Sequence, residues 1–165
     1  MEIQVEQLIK KIAKDLDTLI KERNVTDPVF IGVRTGGVWI AQRLCDLMQI
    51  SSELNILDIN FYRDDFSRIG LSPQVKPSDI KSNIDNRHVI LIDDILQTGR
   101  TTCAALNEIG DYGRAATITF VVLIDRAGRE IPINADVCGM QISLDANQQI
   151  KLRGPDPLYV ETINL

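Results

Sequence analysis

Histidine is nearly missing from this chain: His88 stands alone among 165 residues, and the three cysteines, Cys45, Cys103 and Cys138, lie far apart and form no CxxC pair. Zinc sites and disulfide frameworks need such residues clustered, so neither is expected, and the thiols read as buried and inert. A single histidine also removes Ser-His-Asp and Cys-His chemistry; His88 opens an apolar run well ahead of any catalytic loop and reads as structural. No stretch approaches the ~18 apolar residues of a membrane span. Met1-Glu2-Ile3-Gln4 lacks the charged and apolar regions of a secretory leader, so a cytoplasmic location is expected. Positive charge is also short. Lys and Arg number 18 against 23 Asp and Glu, for a net charge of −5 and a pI near 4.9. That balance argues against broad nonspecific binding to nucleic acid and leaves room only for a local basic patch.

What is present is an ordinary globular composition, 44% hydrophobic and 25% charged. The length suits one domain, residues 1–165, able to bury roughly 70% of its unfolded surface. Val5, Leu8, Ile9, Ile12, Leu16, Leu19 and Ile20 recur at helical spacing with Lys10, Lys11 and Lys14 between them, an amphipathic first helix. Asp27-Pro28 breaks it, and Val29–Val33 reads as a short buried strand. Arg34-Thr35-Gly36-Gly37 is a tight glycine loop, followed by a second helix through Val38, Ala41, Leu44, Cys45 and Met48. Leu57, Ile59 and Phe61 alternate with Asp58 and Asn60, which predicts a strand with one polar face. Regularity is then lost from Tyr62 to Asn86, a gap long enough to suggest a mobile loop. Thr117–Ile124 is another β-prone run. Short strands are expected around Val137 and Ile142, then a Gly154-Pro155-Asp156-Pro157 turn and an extended Leu158–Ile163. Alternation of strand and helix implies a parallel sheet with helices on both faces, and ligands at the carboxyl ends of its strands.

The most informative stretch is Val89-Ile-Leu-Ile-Asp93-Asp94-Ile-Leu-Gln97-Thr98-Gly99-Arg100-Thr101-Thr102. Four aliphatic residues read as a strand buried on both faces. The strand runs into two carboxylates and a loop of small hydroxyl residues, and Ala104, Ala105, Leu106 and Ile109 then continue at helical spacing. A loop feeding a helix N-terminus gathers unpaired N–H groups and the positive end of the helix dipole, which suits phosphate. Two adjacent carboxylates would repel that phosphate; they suit hydroxyl groups, or a metal ion carried by the same ligand. Phosphate plus hydroxyls describes a sugar phosphate. The stretch is neither a Walker A loop, since no Lys follows the glycine, nor a dinucleotide-binding glycine fingerprint.

This segment resembles the 5-phosphoribosyl-1-diphosphate (PRPP) motif of type I phosphoribosyltransferases. Ile31-Gly-Val-Arg-Thr-Gly-Gly-Val38, Asp58-Ile-Asn-Phe-Tyr-Arg-Asp-Asp65 and Leu123-Ile-Asp-Arg-Ala-Gly-Arg-Glu-Ile-Pro-Ile133 extend the resemblance to the PyrR family, pyrimidine operon regulators with uracil phosphoribosyltransferase activity. The resemblance implies an α/β type I phosphoribosyltransferase fold, a central parallel sheet flanked by helices with a small hood built from the terminal segments. It also implies the reaction uracil + PRPP → UMP + diphosphate. Asp93 and Asp94 would hold the ribose hydroxyls. Gln97 to Thr102, through Thr98, Gly99, Arg100 and Thr101, would wrap the 5′-phosphate, and Arg34, Thr35, Gly36 and Gly37 would form the diphosphate loop. That loop often carries an unusual peptide bond in the type I enzymes. Asp93, Asp94 and Arg34 are the candidate catalytic residues, although Arg34 also reads as a surface salt-bridge residue. Tyr62, Arg63, Asp64 and Asp65 would open a mobile loop that closes over the reaction, or belong to an ordinary charged surface loop. Asp125 and Arg126, with Arg129 nearby, are base-site candidates; Ala127-Gly128 between them reads equally as a solvated turn. Mg²⁺ would be held mainly through PRPP, with no dedicated metal site. A homodimer or higher homo-oligomer is implied. Two rivals remain: a non-catalytic UMP sensor that binds the pyr mRNA leader, and a purine phosphoribosyltransferase. The chain departs from many family members at Gly36, where they have a basic residue, and at Gln97, where they have Tyr.

Overall fold

The computed structural model describes residues 2–59 and 78–165. Helix α1 (Val5–Glu22) leads to β1 (Val29–Val33), α2 (Gly36–Leu47) and β2 (Asn55–Leu57). Strand β3 (His88–Leu96), α3 (Arg100–Tyr112), β4 (Thr117–Arg126) and β5 (Val137–Ile142) follow, and β6 (Gln148–Arg153) and β7 (Tyr159–Asn164) end the chain. Strands β1 to β5 form a five-stranded sheet in the order β2-β1-β3-β4-β5, parallel at every pairing. The chain thus steps from β1 outward to β2, then returns to place β3 on the other side of β1. Order reverses there, and such a reversal opens a crevice at the carboxyl ends of the two strands.

The side-chain period of two distributes the strands' apolar residues to both faces. Phe30, Ile90, Ile92, Val121 and Leu123 turn to one face and pack with Ile9, Ile12 and Leu16 of α1 and Ile40, Ala41 and Leu44 of α2. Val29, Ile31, Val33, Val89, Leu91, Phe120 and Val122 turn to the other and pack with Ala105 and Ile109 of α3. The apolar run of β3 is therefore the price of burial on both sides. Helix α1 joins this core layer instead of a hood; the hood-like element is the antiparallel β6–β7 hairpin alone, pairing Gln148 with Asn164 through Arg153 with Tyr159. The Val137–Ile142 region is one continuous strand, where two short ones were expected.

The second-strand expectation shifts as well. The strand spans Asn55–Leu57, two residues ahead of Leu57–Phe61. Ile59 is buried, and Asn60 and Phe61 lie outside the described residues. Register with β1, Ile31 opposite Asn55, brings a polar residue into the interior. Asn55 is fully buried. Its Nδ2 donates to the Phe30 carbonyl (3.3 Å) and to Ser82 Oγ (3.0 Å), while its Oδ1 accepts from the Lys81 and Ser82 N–H groups at 2.8 and 3.0 Å. One amide thus ties the edge of the sheet to residues 78–87 ahead of β3, which carry an isolated bridge between Ile56 and Asp79. His88 is structural, as expected: its Nδ1 lies 2.7 Å from Thr117 Oγ1, at the end of β3 opposite the carboxylates.

The thiols differ from one another. Cys45 is buried, whereas Cys103 and Cys138 are half-buried. Burial, with Asp46 beside it, pushes the Cys45 thiol up to about 11, and burial also raises Cys138. Alkylation of the native protein at pH 8 is expected to spare Cys45, while all three cysteines react in denaturant; equal labelling of Cys45 in both states, read by mass spectrometry, would contradict this. Replacing Asn55 with Ala strands the two partly buried N–H donors of Lys81 and Ser82 and is expected to lower unfolding stability by about 1–3 kcal/mol in urea titrations; a change below about 0.5 kcal/mol would show that the tie is dispensable.

Candidate active site

Both glycine loops fall at the carboxyl edge of the sheet, one after β1 and one after β3, on either side of the crevice. The sequence places the first phosphate-type loop at 97–102, but α3 already begins at Arg100, with Gly99 as its N-cap in a left-handed conformation (φ 91°). The Arg100 N–H bonds Thr98 Oγ1 at 3.2 Å, and Thr101 and Thr102 occupy the first helical turn, whose N–H groups lie ahead of any helical carbonyl. Thr102 is buried and Thr98 and Thr101 are half-buried. This end of α3 combines N–H donors, threonine hydroxyls and the positive end of the helix dipole, the combination that suits an anion.

The carboxylates stand just before it. Asp93 is 4% exposed, and its Oδ1 accepts from the Asp94 N–H at 2.9 Å. Asp94 in turn accepts from the Ile95 N–H at 2.8 Å. These backbone bonds fix the orientation of the two carboxylates at the mouth of the crevice.

Across the crevice, α2 begins at Gly36, so Gly36 and Gly37 form its first turn. The Arg34–Thr35 peptide is cis, as the resemblance implies for this loop. Each glycine is dictated by what it touches. A Cβ on Gly37 would lie 3.0 Å from Asp93 Cα and closer still to the Ile92 carbonyl oxygen, backbone that cannot yield. A Cβ on Gly36 would lie 2.8 Å from Asp94 Cγ. The glycine pair is what lets the start of α2 lie against the end of β3, and Gly36, the departure from many relatives, is the residue in contact with Asp94.

Arg34 is not a surface salt-bridge residue. Its side chain is 20% exposed and its Nε lies 3.7 Å from Oδ2 of Asp58, whose side chain is 1% exposed. Asp58 is a site residue the sequence analysis did not single out; its signal was position, directly after β2 at the same carboxyl edge. Tyr62, Arg63, Asp64 and Asp65 lie outside the described residues.

Farther along the edge, Asp125–Arg129 and Gln141–Ser143 line a pocket of about 320 Å³ at the ends of β4 and β5. Arg126 is 8% exposed; its Nη2 donates to the Gln148 carbonyl at 2.8 Å and its Nη1 to Gln97 Oε1 at 3.3 Å. Arg129 donates to Asp125 Oδ1 at 2.6 Å and to the Gln97 carbonyl. The Nε–H groups of both arginines are buried without a hydrogen-bond partner among the described residues, so an acceptor-bearing ligand would satisfy them. Among the described residues no cluster of three or more His, Cys, Asp and Glu could hold a metal ion, and no helix is long and apolar enough to cross a membrane.

Comparison with known proteins agrees with this geometry. Residues 3–154 match the family described as phosphoribosyl transferase domain. The chain is 50% identical over 159 residues to the bifunctional protein PyrR of Pseudomonas syringae pv. tomato, covering 96% of this chain and 94% of that one. It is 49% identical over 158 residues to the bifunctional protein PyrR of Nitrosococcus oceani, covering 94% and 89%. Among solved structures, it is similar in fold to a Trypanosoma cruzi hypoxanthine phosphoribosyl transferase (TM-score 0.66, 22% identity, covering 87% of this chain and 76% of that one). A hypoxanthine-guanine phosphoribosyltransferase from Bacillus anthracis is also similar (TM-score 0.65, 22% identity, 86% and 80%). At that identity the likeness is one of fold alone.

The two glycines separate in a way mutagenesis can read. Gly37→Ala meets backbone and is expected to displace α2 from β3, lowering the melting temperature by several degrees, as a loss of about 1–3 kcal/mol would. The nearest atoms to a Cβ on Gly36 are side-chain atoms of Asp94, down to its Cβ at 2.9 Å, and not main chain, so Gly36→Ala is expected to change stability less than Gly37→Ala. Equal melting temperatures for the two variants would contradict this.

Proposed function

The chain belongs to the PyrR family of phosphoribosyltransferases, and we propose on that premise that it transfers the 5-phosphoribosyl group of PRPP to uracil, giving UMP and diphosphate. One observation carries the reading: the carboxylate pair, the helix N-terminus after it, the glycine turn of α2 and the arginine-lined pocket share one edge of one sheet, at and beside its switch point. A sugar phosphate with a leaving group on one side and a base on the other requires those parts in that order.

In this reading the 5′-phosphate accepts from the N–H groups and hydroxyls of Thr98–Thr102, and Asp93 and Asp94 accept from the 2′- and 3′-hydroxyls of the ribose. The α2 turn, Arg34 to Gly37, receives the diphosphate; its glycines admit the backbone closely and Arg34 supplies positive charge. Uracil occupies the pocket of Asp125–Arg129 and Gln141–Ser143, where its carbonyl oxygens meet donors. The C1′–O bond to diphosphate breaks as N1 of uracil bonds to C1′, the electron pair leaves with diphosphate, and the N1 proton is released. Positive charge that develops on the ribose ring is stabilised by the Asp93 and Asp94 carboxylates, which are fixed in advance by backbone donors. Among the described residues no side chain is assigned the part of an obligate base, so in this reading acceleration comes from orientation and electrostatics. The oxygen donors of Asp93 and Asp94 suit Mg²⁺, a hard cation that keeps substrate oxygens and water as ligands. When bound with PRPP, Mg²⁺ neutralises the diphosphate's charge.

A second reading, regulation through pyr mRNA, is supported by the relatives' name, which calls them bifunctional. The local charges favour the first. Arg129 pairs with Asp125 and Arg153 with Glu161, and Arg126 is buried, so of Arg126, Arg129, Lys151 and Arg153, the basic residues a local RNA-binding patch would use, only Lys151 stands exposed outside these pairs.

With PRPP and Mg²⁺, uracil is expected to yield UMP, while hypoxanthine, guanine and adenine yield no nucleotide. Asp93→Asn combined with Asp94→Asn is expected to lower kcat by about 10²–10³. A purine product would overturn the base assignment. No product from any base, with UMP still bound, would make the chain a sensor.

A further inference from the structure

The connector after β4 does more than line a pocket. Its other side is laced to the Gln97–Arg100 loop by main chain and side chain together. Arg129 Nη1 donates to the Gln97 carbonyl. The N–H groups of Glu130 and Ile131 both donate to the Thr98 carbonyl, each at 3.0 Å. Arg126 reaches Gln97 Oε1, and Glu130 Oε2 accepts from Arg100 Nε at 2.7 Å. Gly99 sits against this connector, close enough that a Cβ would lie 3.2 Å from the Ile131 carbonyl oxygen.

These bonds fix direction. In a trans peptide the C=O and N–H vectors point opposite ways. When the connector holds the carbonyls of Gln97 and Thr98, it turns the N–H groups of Thr98 and Gly99, the other halves of those two peptides, away from itself. Two N–H donors are thereby turned away from the connector before any ligand arrives. Arg129 is suited to this work: it is only 23% exposed and is itself held by Asp125 Oδ1 at 2.6 Å. It is thus a rigid strut between the base side and the phosphate side.

We propose that Arg129, besides lining the base pocket, is a positioning residue for the phosphate cradle, acting through the Gln97 carbonyl to aim the loop's N–H groups at the 5′-phosphate. This rests on reading Thr98–Thr102 as that cradle. The measurable quantity is the phosphate increment, the ratio of the uridine to the UMP dissociation constant, by calorimetry.

Arg129→Ala is expected to reduce the increment about tenfold or more, since a charge-assisted hydrogen bond is lost, whatever affinity uridine itself loses through the base pocket. Arg129→Lys, which keeps the charge but cannot hold both partners as a fork, is expected to fall between; it carries the test if the Ala variant does not fold. Guanosine and GMP provide the same ratio independently of base preference. An unchanged increment in the variants, or equal weakening of nucleoside and nucleotide, would overturn the inference while leaving the cradle in place. A wild-type protein with no increment for either pair would remove the cradle reading, and the strut with it.

Discussion

Strand β3 must be buried on both faces and still end in charge, and the rest of the molecule is arranged around that requirement. Its partners β1 and β4 flank it in parallel register, α1 and α2 cover one side and α3 the other. Parallel strands covered on both faces leave only their ends open to solvent. The carboxylates therefore occupy the one end of the strand from which they can reach a ligand, and the N–H groups of Asp94 and Ile95 help to hold them there. A negative pair stabilised in this way keeps its field available for a cationic centre or for hydroxyl donors.

Close approach is the second requirement. The start of α2 can lie against the end of β3 because two glycines stand where side chains would strike Asp93, Asp94 and the Ile92 carbonyl. The same economy recurs at Gly99, where positive φ and the nearness of Ile131 together call for glycine. From these contacts the site inherits its rigidity: α2, the end of β3, the first turn of α3 and the connector after β4 are joined through short backbone contacts. Preorganisation of that kind is what transfer without an obligate acid or base needs.

Elements whose role shows in the side-chain pattern could be read directly from the amino-acid order. The aliphatic run at 89–92, the paired carboxylates and the helix after them, and the α1 periodicity were all of this kind. Other features hid because their physics is not periodic. Strand β6, Gln148–Arg153, alternates charge and polarity in a small two-stranded hairpin and shows no apolar run. Asn55 looks like a solvent-facing residue until its five side-chain hydrogen bonds are seen. Asp58 gains meaning only when β2 is laid beside β1 and brings it to Arg34. The lacing of the connector to the Thr98 carbonyl was least visible of all, since main-chain donors at Glu130 and Ile131 leave no residue-type signature. Base recognition was equally faint, being spread over Asp125–Arg129 and Gln141–Ser143 from two strand ends.

The central claim is that one sheet edge binds base, ribose and phosphate in sequence, and a crystal structure of the protein with UMP tests it most directly. The expected density puts the phosphate against the N–H groups of Thr98 to Thr102, the ribose hydroxyls on Asp93 and Asp94, and uracil in the pocket between Arg126 and Ser143. UMP bound elsewhere, or bound here with its phosphate on the α2 turn and its base away from that pocket, would contradict it.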